Sequence, residues 1–246
     1  MIRVAAMADV HCGADSAGKL RPHYEHLADQ ADLFVIAGDL TRRGLPEEAH
    51  VLARELQEVA AAVPTFAVLG NHDYHCDDQA LVAKVLDAAG VQVLEGESDI
   101  VEVDGMRVGV AGVKGFGGGF AGASGSEFGE PEMKAFVAHT RQVAGWLETS
   151  LLDLAAQDKT DLRIALMHYS PVEATLRGER LEIYPFLGSY LLAEAVDRAG
   201  ADLVVHGHAH GGSEKGVTPG GVHVRNVALP VINHAYNVYE LVSSTS

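Results

Sequence analysis

The chain has 246 residues, of which 48% are hydrophobic and 21% charged, so it can bury a substantial core and has the composition of a globular protein. Its formal net charge is −16, which disfavours long polyanions such as duplex nucleic acid, because proteins hold these with clustered lysines and arginines. Two cysteines are too few for a disulfide framework. With neither a signal peptide nor an apolar run of about 20 residues, the sequence predicts a cytoplasmic protein without a membrane partner.

The first third of the chain alternates apolar segments with helical patterns. Strands are predicted over residues 2–8, 33–37 and 65–69, and helices over residues 22–31, 46–62 and 79–89. Pro46 suits a first helical position, Glu47 and Glu48 suit the positive first turn that follows it, and Gly90 suits a helix end. This order of strand, loop and helix predicts βαβ units with a largely parallel sheet.

The rest of the chain mixes short strands with two longer helices. Strands are predicted over residues 91–94, 100–103, 106–111, 162–167, 202–205, 222–227 and 236–241, and helices over residues 131–156 and 189–199. Asp104-Gly105 between two of these strands is the dipeptide most typical of a tight hairpin. No internal repeat or linker divides the sequence, which predicts a single domain over residues 1–246.

Residues 112–129 contain eight glycines and allow two interpretations. Such a segment is typical of a disordered linker, but Phe116, Phe120 and Phe128 are unusual in flexible linkers. The phenylalanines favour an ordered loop at the rim of a site.

Side chains of the types that can bind metals follow five of the predicted strands, at the point where each strand ends. They are Asp9, His11, Asp39, Asn71, His72, His168, His208 and His210. Carboxyl ends of parallel strands meet at one edge of a sheet, where α/β proteins carry their sites. Carboxylates, imidazoles and an amide suit Mn, Fe, Zn or Ni more than Ca or Mg. The set exceeds what one ion needs, whereas two ions about 3.5–4 Å apart that share one carboxylate would use it and clamp a phosphate.

In this order, five motifs resemble those of the calcineurin-like metallophosphoesterase family. They are Asp9-x-His11, Gly38-Asp39, Gly70-Asn71-His72-Asp73, His168 and Gly207-His208-x-His210. The resemblance implies a four-layer α/β sandwich with two mixed sheets flanked by helices and a di-metal site at the strand ends. It also implies a metal-dependent phosphoric ester hydrolase, in which metal-activated hydroxide attacks a small phosphodiester or phosphomonoester.

The resemblance also implies a role for each matched residue. One divalent ion, manganese being one candidate, would be held by Asp9, His11, Asp39 and His210. The second would be held by Asp39 as the bridge, Asn71, His168 and His208. His72 would contact the phosphate or the leaving oxygen as a general acid, oriented by Asp73.

Three arginines are candidates for contacting the substrate phosphate. Arg43 matches an arginine that contacts phosphate in the related Ser/Thr phosphatases, although Arg42 replaces the aspartate of that motif. A solvated charge at the entry of a helix is the alternative for Arg43. Arg177 and Arg180 lie in a loop where they can form an anion-binding pair. His206, by contrast, is expected to pack in the core or behind the ligands.

Within this family, the sequence favours a compact phosphoesterase for small substrates, with cyclic nucleotides the usual candidates. Arg42 occupies the position of a tyrosine in purple acid phosphatases, which argues against that branch. A nuclease would need a capping domain and a basic cleft, and neither fits 246 residues with a net charge of −16. The other alternative is a non-catalytic metal-binding scaffold for protein partners, as in the retromer subunit of this fold. That subunit lacks the catalytic histidine, which is present here as His72.

Overall fold

The structure is a computed structural model that describes residues 1–156 and 160–242. Its β-strands are β1 (Ile2–Met7), β2 (Leu33–Ala37), β3 (Thr65–Val68), β4 (Val91–Val93), β5 (Glu97–Val103), β6 (Met106–Val113), β7 (Gly119–Phe120), β8 (Ala123–Ser124), β9 (Leu162–Met167), β10 (Leu203–His206), β11 (Lys215–Val217), β12 (His223–Asn226) and β13 (Asn237–Leu241). Its α-helices are α1 (Leu27–Gln30), α2 (Pro46–Ala62), α3 (Gln79–Asp87), α4 (Pro131–Ala156), α5 (Tyr184–Leu187), α6 (Tyr190–Ala199) and α7 (Leu229–Ile232).

The strands form two large sheets, and each of them is mixed. The first sheet has the order β13-β1-β2-β3-β4, in which only β13 runs antiparallel to its neighbour. The second has the order β11-β12-β10-β9-β6-β5, in which β11 and β5 are the antiparallel edge strands. In the described part of the chain, no helix combines the length and apolar character needed to cross a bilayer.

The two sheets pack face to face, with helices on both outer faces. Along β2 the side chains alternate, so that Phe34 and Ile36 pack against α2 while Val35 faces the second sheet. Beyond the second sheet, Leu147 of α4 and Val196 of α6 cover the outer face. The order helix, sheet, sheet, helix confirms the predicted four-layer α/β sandwich. The βαβ units predicted in the first third of the chain form the parallel strands β1, β2, β3 and β4.

The predicted hairpin at Asp104-Gly105 is confirmed. Val103 pairs with Met106 across it, so the loop has two residues. Asp104 and Gly105 have φ angles of 52° and 71°, and two positive φ angles in succession define the turn type that matches the twist of the flanking strands.

The helix predicted over residues 22–31 is largely replaced by irregular structure. Only Leu27–Gln30 is α-helical, and a 3₁₀ turn at Arg21–His23 contains Pro22. The carboxylate of Glu55 on α2 accepts hydrogen bonds from the main-chain N–H groups of Gly18, Leu20 and Arg21 at 2.8–3.0 Å. These bonds satisfy the N–H groups of the loop before residue 22 and hold that loop against α2.

The glycine-rich segment over residues 112–129 packs against the rest of the protein. The ring of Phe116 lies 5.1 Å from that of Phe136 on α4. Phe120 is buried in the short β7–β8 ribbon, whereas Phe128 is 89% exposed. Two of the three phenylalanines therefore support the interpretation as an ordered loop.

Candidate metal centre

The carboxyl ends of five strands bring the predicted ligands together. Asp9, Asp39 and Asn71 follow β1, β2 and β3 of the first sheet, and His168 and His208 follow β9 and β10 of the second. One group of potential ligands consists of Asp9, His11, Asp39 and His210, and a second consists of Asp39, His168 and His208. Within each group, one ligand atom per residue lies within 4.8 Å of the others. Asp39 belongs to both groups and is buried between them.

Four of these residues have a backbone conformation that side chains rarely adopt. The φ angles of Asp9, His11, Asp39 and His208 are 59°, 46°, 49° and 68°. Such left-handed conformations persist only where surrounding structure enforces them. Here the main-chain N–H of Asp9 donates to the carbonyl of Gly38 at 3.0 Å, and that of His11 donates to the carbonyl of Asp39 at 2.9 Å. The loops after β1 and β2 thus hold each other in the conformation that directs their side chains toward one another.

Two glycines leave room for the carboxylates of the site. A Cβ atom at Gly70 would lie 2.1 Å from Oδ1 of Asp39, and one at Gly207 would lie 2.4 Å from Oδ2 of Asp9. Both distances are far below van der Waals contact, so any other residue would displace a buried carboxylate. The glycines of these motifs therefore make room for the ligands themselves.

The imidazole of His168 points its Nε2 atom at two oxygen acceptors. Its Nδ1 lies 2.8 Å from the carbonyl oxygen of Ala37, and because a carbonyl only accepts, Nδ1 carries the proton. In the neutral ring Nε2 has a lone pair, and it lies 3.4 Å from Oδ1 of Asp39 and 3.1 Å from Oδ1 of Asn71. In that form, Nε2 of His168 and the Oδ1 atoms of Asp39 and Asn71 are three neighbouring acceptors, which is a suitable environment for a cation.

Asp9 and His210 form a hydrogen-bonded pair. Oδ1 of Asp9 lies 2.9 Å from Nε2 of His210. Burial by itself raises the pKa of Asp9, but the hydrogen bond from His210 and the charges of the neighbouring imidazoles outweigh it, so this pKa is lowered overall. The same hydrogen bond raises the pKa of His210. Asp9 is therefore ionised, as a metal ligand must be.

Burial keeps two other imidazoles neutral. It lowers the pKa of His208 to about 3, and it also lowers the pKa of His11. Nε2 of His208 lies 3.3 Å from the carbonyl oxygen of Phe186 and so carries the proton, which leaves Nδ1 as the free lone pair. Neutral imidazole is the form that binds divalent ions.

His72 lies beside the two ligand groups without belonging to either. Its Nδ1 lies 2.8 Å from the carbonyl oxygen of Arg42, and its Nε2 lies 3.9 Å from Oδ2 of Asp39. Its ring centroid is 4.5 Å from that of His11, and the side chain is exposed. Nε2 is therefore the nitrogen available to a substrate.

Asp73 does not make the contact with His72 that its predicted orienting role requires. The carbonyl of Arg42 holds the ring instead. The buried carboxylate of Asp73 accepts four hydrogen bonds, from the main-chain N–H groups of Leu40, Thr41 and Gly70 and from the hydroxyl of Thr41. These hydrogen bonds tie the turn after β3, which carries His72, to the loop after β2.

The structure leaves the roles of the three candidate arginines as predictions. Arg43 is exposed, and its main-chain N–H donates to the carboxylate of Glu48 at 2.7 Å. Arg177 and Arg180 are exposed in the loop after β9. Over residues 1–156 and 160–242, none of these three guanidinium groups forms an ion pair. Arg42 instead pairs with Asp15 at 2.9 Å.

His206 lies behind the ligands, as expected from the sequence. Its Nε2 is 2.8 Å from the hydroxyl of Thr175, and its Nδ1 is 2.8 Å from the carbonyl oxygen of Gly207. Burial lowers its pKa to about 4, so it is a neutral core histidine.

Lys114 was not predicted as a site residue. It follows β6, which is parallel to β9 and therefore ends at the same edge as His168. Its ammonium nitrogen lies 4.6 Å, 5.3 Å and 5.5 Å from the ring centroids of Tyr74, Phe116 and Tyr169. Its position directly after a parallel strand is the signal that could have identified it.

Comparisons with known proteins agree with this geometry. Residues 2–212 match the sequence model of a family described as calcineurin-like phosphoesterase. A protein of Aquifex aeolicus (strain VF5), described as an uncharacterized metallophosphoesterase, is 34% identical over 117 residues, which are 46% of this chain and 42% of that relative. The matched part thus spans less than half of the relative. The crystal structure of the phosphopantetheinyl hydrolase from Mycobacterium tuberculosis superposes with a TM-score of 0.60 at 14% identity, over 99% of this chain and 97% of that one. That likeness shows a shared fold.

Proposed function

Because the chain belongs to the calcineurin-like phosphoesterase family, we propose that it hydrolyses a small phosphodiester or phosphomonoester with the help of two divalent metal ions. The observation that carries this proposal is the shared position of Asp39. Its buried carboxylate joins two groups of ligands, each with atoms within 4.8 Å of one another, as a pair of bridged ions requires.

The donor set fits the proposed ions. Carboxylates and neutral imidazoles suit Mn, Fe, Zn or Ni. One ion would be held by Asp9, His11, Asp39 and His210, and the other by Asp39, Asn71, His168 and His208. When bound, such a pair supplies positive charge to the phosphate oxygens and makes a water molecule acidic near neutral pH.

His72 is the proton donor in this proposal. The Arg42 carbonyl accepts from Nδ1, which leaves Nε2 facing the site near Asp39. A protonated Nε2 donates its proton to the departing alkoxide oxygen. Asp73 keeps the ring at this place through four hydrogen bonds to the main chain and to Thr41.

Two alternative functions have less support. A scaffold for protein partners has no need of His72, yet the fold holds its Nδ1 with a 2.8 Å hydrogen bond and directs Nε2 toward the ligands. A nuclease acting on long nucleic acid would have to overcome a net charge of −16. A small ester avoids that cost, because only its own phosphate must approach the ions.

The proposal can be tested by comparing two esters. The protein is depleted of metal with a chelator and restored separately with Mn²⁺, Fe²⁺, Zn²⁺ or Ni²⁺, and turnover of bis-p-nitrophenyl phosphate is compared with that of p-nitrophenyl phosphate. We expect turnover only after restoration. Faster diester turnover would assign a phosphodiesterase, for which cyclic nucleotides are the next substrates to test, and faster monoester turnover would assign a phosphatase.

A matched pair of variants ties the activity to the site. Asp39→Asn, which removes the shared negative charge, should lower turnover by at least about 100-fold, the scale of losing metal or transition-state charge stabilisation. Asp153→Asn makes the same chemical change at an exposed position of α4 and should leave turnover unchanged. Absence of turnover for both esters with all four metals would overturn the proposed activity.

A further inference from the structure

The side chain of Lys114 lies in an aromatic cage formed by Tyr74, Phe116 and Tyr169. The ring centroids lie 4.6 Å, 5.3 Å and 5.5 Å from its ammonium nitrogen, within the range of cation–π attraction. On the outer side, the ring of Phe116 packs against His139 of α4 with centroids 4.6 Å apart. The cage therefore restricts where the ammonium group can lie. Burial lowers the pKa of Lys114, although the carboxylates of Glu95 and Asp39 act in the opposite direction.

The walls of the cage belong to the segments that carry the metal ligands. Tyr74 follows His72 by two residues in the turn after β3. Tyr169 follows His168 directly, and its ring centroid lies 4.4 Å from that of His208 and 5.6 Å from that of His168. The main-chain N–H of His168 also donates to the carbonyl of Lys114 at 2.9 Å. The cage is thus adjacent to the ligand group of Asp39, His168 and His208.

In the described residues, the ammonium group of Lys114 has no hydrogen-bond partner within the protein. Among residues 1–156 and 160–242, no side chain or carbonyl accepts a hydrogen bond from Nζ, and no carboxylate lies within 4 Å of it. Glu95 is the nearest candidate for a counter-ion, but its carboxylate accepts from the hydroxyl of Tyr74 at 2.6 Å. Glu95 and Asp39 attract the charge of Lys114 without forming an ion pair within 4 Å, so the ammonium group remains accessible to an anion at the candidate phosphoester site.

We propose that Lys114 is a substrate-binding residue whose ammonium group donates to a non-bridging oxygen of the phosphoryl group. This inference rests on the proposed function. The contact contributes more binding free energy for a dianion than for a monoanion, because the attraction scales with the charge of the ligand. Lys114 therefore favours phosphomonoesters and free phosphate over phosphodiesters. The aromatic faces hold the cation and partly exclude water, so little rotational freedom is lost when phosphate binds.

The test uses inorganic phosphate as the probe. Affinity for phosphate is measured by calorimetry on the metal-loaded protein and as a competitive inhibition constant. Lys114→Met should weaken phosphate binding by about 10- to 100-fold, the range for one charged hydrogen bond. It should also lower kcat/KM for p-nitrophenyl phosphate more than for bis-p-nitrophenyl phosphate. Lys134→Met, at an exposed position of α4, is the matched control and should change neither quantity.

Further readouts separate a phosphate contact from a structural role. Lys114→Arg keeps the charge and should retain phosphate binding within about threefold, whereas equal losses in the Met and Arg variants would overturn the inference. Metal-dependent thermal stabilisation of each variant reports whether it folds and binds ions. Unchanged phosphate affinity in a folded Lys114→Met protein also overturns the inference. Wild-type protein that binds phosphate through Lys114 but hydrolyses no ester would overturn the proposed function alone.

Discussion

Three imidazoles of the candidate centre are each held by a main-chain carbonyl oxygen. The acceptors for His168, His72 and His208 are the carbonyls of Ala37, Arg42 and Phe186, at 2.8 Å, 2.8 Å and 3.3 Å. Since a carbonyl oxygen only accepts, the ring nitrogen that faces it carries a proton, and the other ring nitrogen faces the site. Such contacts fix both the tautomer and the orientation of a ring before any ion binds. The main chain therefore determines much of the chemistry of these side chains.

The role of His72 gives the first prediction at this scale. Loss of a general acid lowers kcat by about 10²- to 10⁴-fold, and His72→Ala should show a loss in that range on bis-p-nitrophenyl phosphate. Metal content, measured by elemental analysis, should stay unchanged because His72 belongs to neither ligand group. His50→Ala, at an exposed position of α2, is the control. Equal activity of wild type and His72→Ala would refute the catalytic assignment.

Asp73 gives a second prediction. Its Oδ1 accepts from the N–H and hydroxyl of Thr41, and its Oδ2 accepts from the N–H groups of Leu40 and Gly70. In Asp73→Asn, either orientation of the amide turns an NH₂ group toward buried donors. We expect the free energy of unfolding to fall by about 1–3 kcal/mol, the cost of leaving buried donors unpaired. Turnover should also fall, since the turn carrying His72 loosens.

Denaturant unfolding of Asp73→Asn and of Asp78→Asn checks this prediction. Asp78 lies a few residues further along the same loop. Its side chain is exposed and does not cap α3 with a hydrogen bond. An Asp73→Asn protein as stable as the Asp78→Asn control would mean that the four hydrogen bonds contribute nothing to stability.

At the level of residues, local motifs were predictable and distant partners were not. Asp9, Asp39 and His168 could be found from the sequence because each stands directly after an apolar strand. Three of the four donors to Asp73 could not be found, because they belong to Leu40 and Thr41, in a loop more than thirty residues away. Lys114 also stands directly after a strand, but a single lysine carries no motif, and its place beside Tyr74 depends on the packing of the two sheets.

Among the secondary-structure elements, those with strong local start signals were predicted best. Both α2 and α4 begin at the predicted prolines, Pro46 and Pro131, and extend over the predicted residues. The short elements α5, α7 and β11 were missed, because so short a segment shows no periodicity. Strands as short as these, β3, β4, β10 and β12, were predicted from their apolar residues. Of the helix predicted over residues 22–31, only Leu27–Gln30 is α-helical, and the loop before it binds Glu55 of α2 through three N–H groups.

This link between α2 and the loop gives a third prediction. Burial by itself raises the pKa of Glu55, but the three main-chain N–H groups outweigh it and lower this pKa overall. A lowered pKa in the folded state stabilises the protein above the ordinary Glu value of about 4.3, and the stabilisation disappears as the pH falls through the folded value. Glu55→Gln should therefore cost about 1–3 kcal/mol at pH 7, and the difference from wild type should shrink near pH 3.

Urea unfolding of metal-depleted protein at several pH values measures this difference. Glu58→Gln serves as control, because Glu58 lies on the same helix and makes only an exposed ion pair with Arg21 at 3.0 Å, a kind of pair that contributes little. A Glu55→Gln difference that is independent of pH would contradict the prediction.

For the whole molecule, the candidate centre exists only where the two sheets meet. Asp9 and Asp39 come from the first sheet, and His168, His208 and His210 come from the second. The apolar layer between the sheets, which includes Val35 and Ile164, sets their separation. The family resemblance predicted two sheets, but the order of strands and their register depend on pairings between distant segments, which sequence patterns do not specify.

Metal binding should therefore be coupled to the stability of the whole fold. In the unfolded chain the ligands are spread over residues 9–210, so an ion binds the folded state alone and stabilises it, by about 2.7 kcal/mol when the free ion is at 100 times its dissociation constant. For a chain of this size, each kcal/mol shifts the melting temperature by about 2–4 °C. Calorimetry should show the melting temperature falling by about 5–10 °C after chelation and recovering when Mn²⁺ is added.

Variants locate this stabilisation. Asp39→Asn should lose most of the metal-dependent shift because both ligand groups share Asp39, whereas His72→Ala should keep it because His72 lies outside them. A melting temperature that stays the same after metal removal, verified by elemental analysis, would show that the ligands are held together by the packing of the sheets alone. A full shift in Asp39→Asn would show instead that the stabilising ion binds elsewhere. Only the expected pattern, a shift that requires Asp39 and not His72, assigns the stabilisation to an ion at the junction of the two sheets.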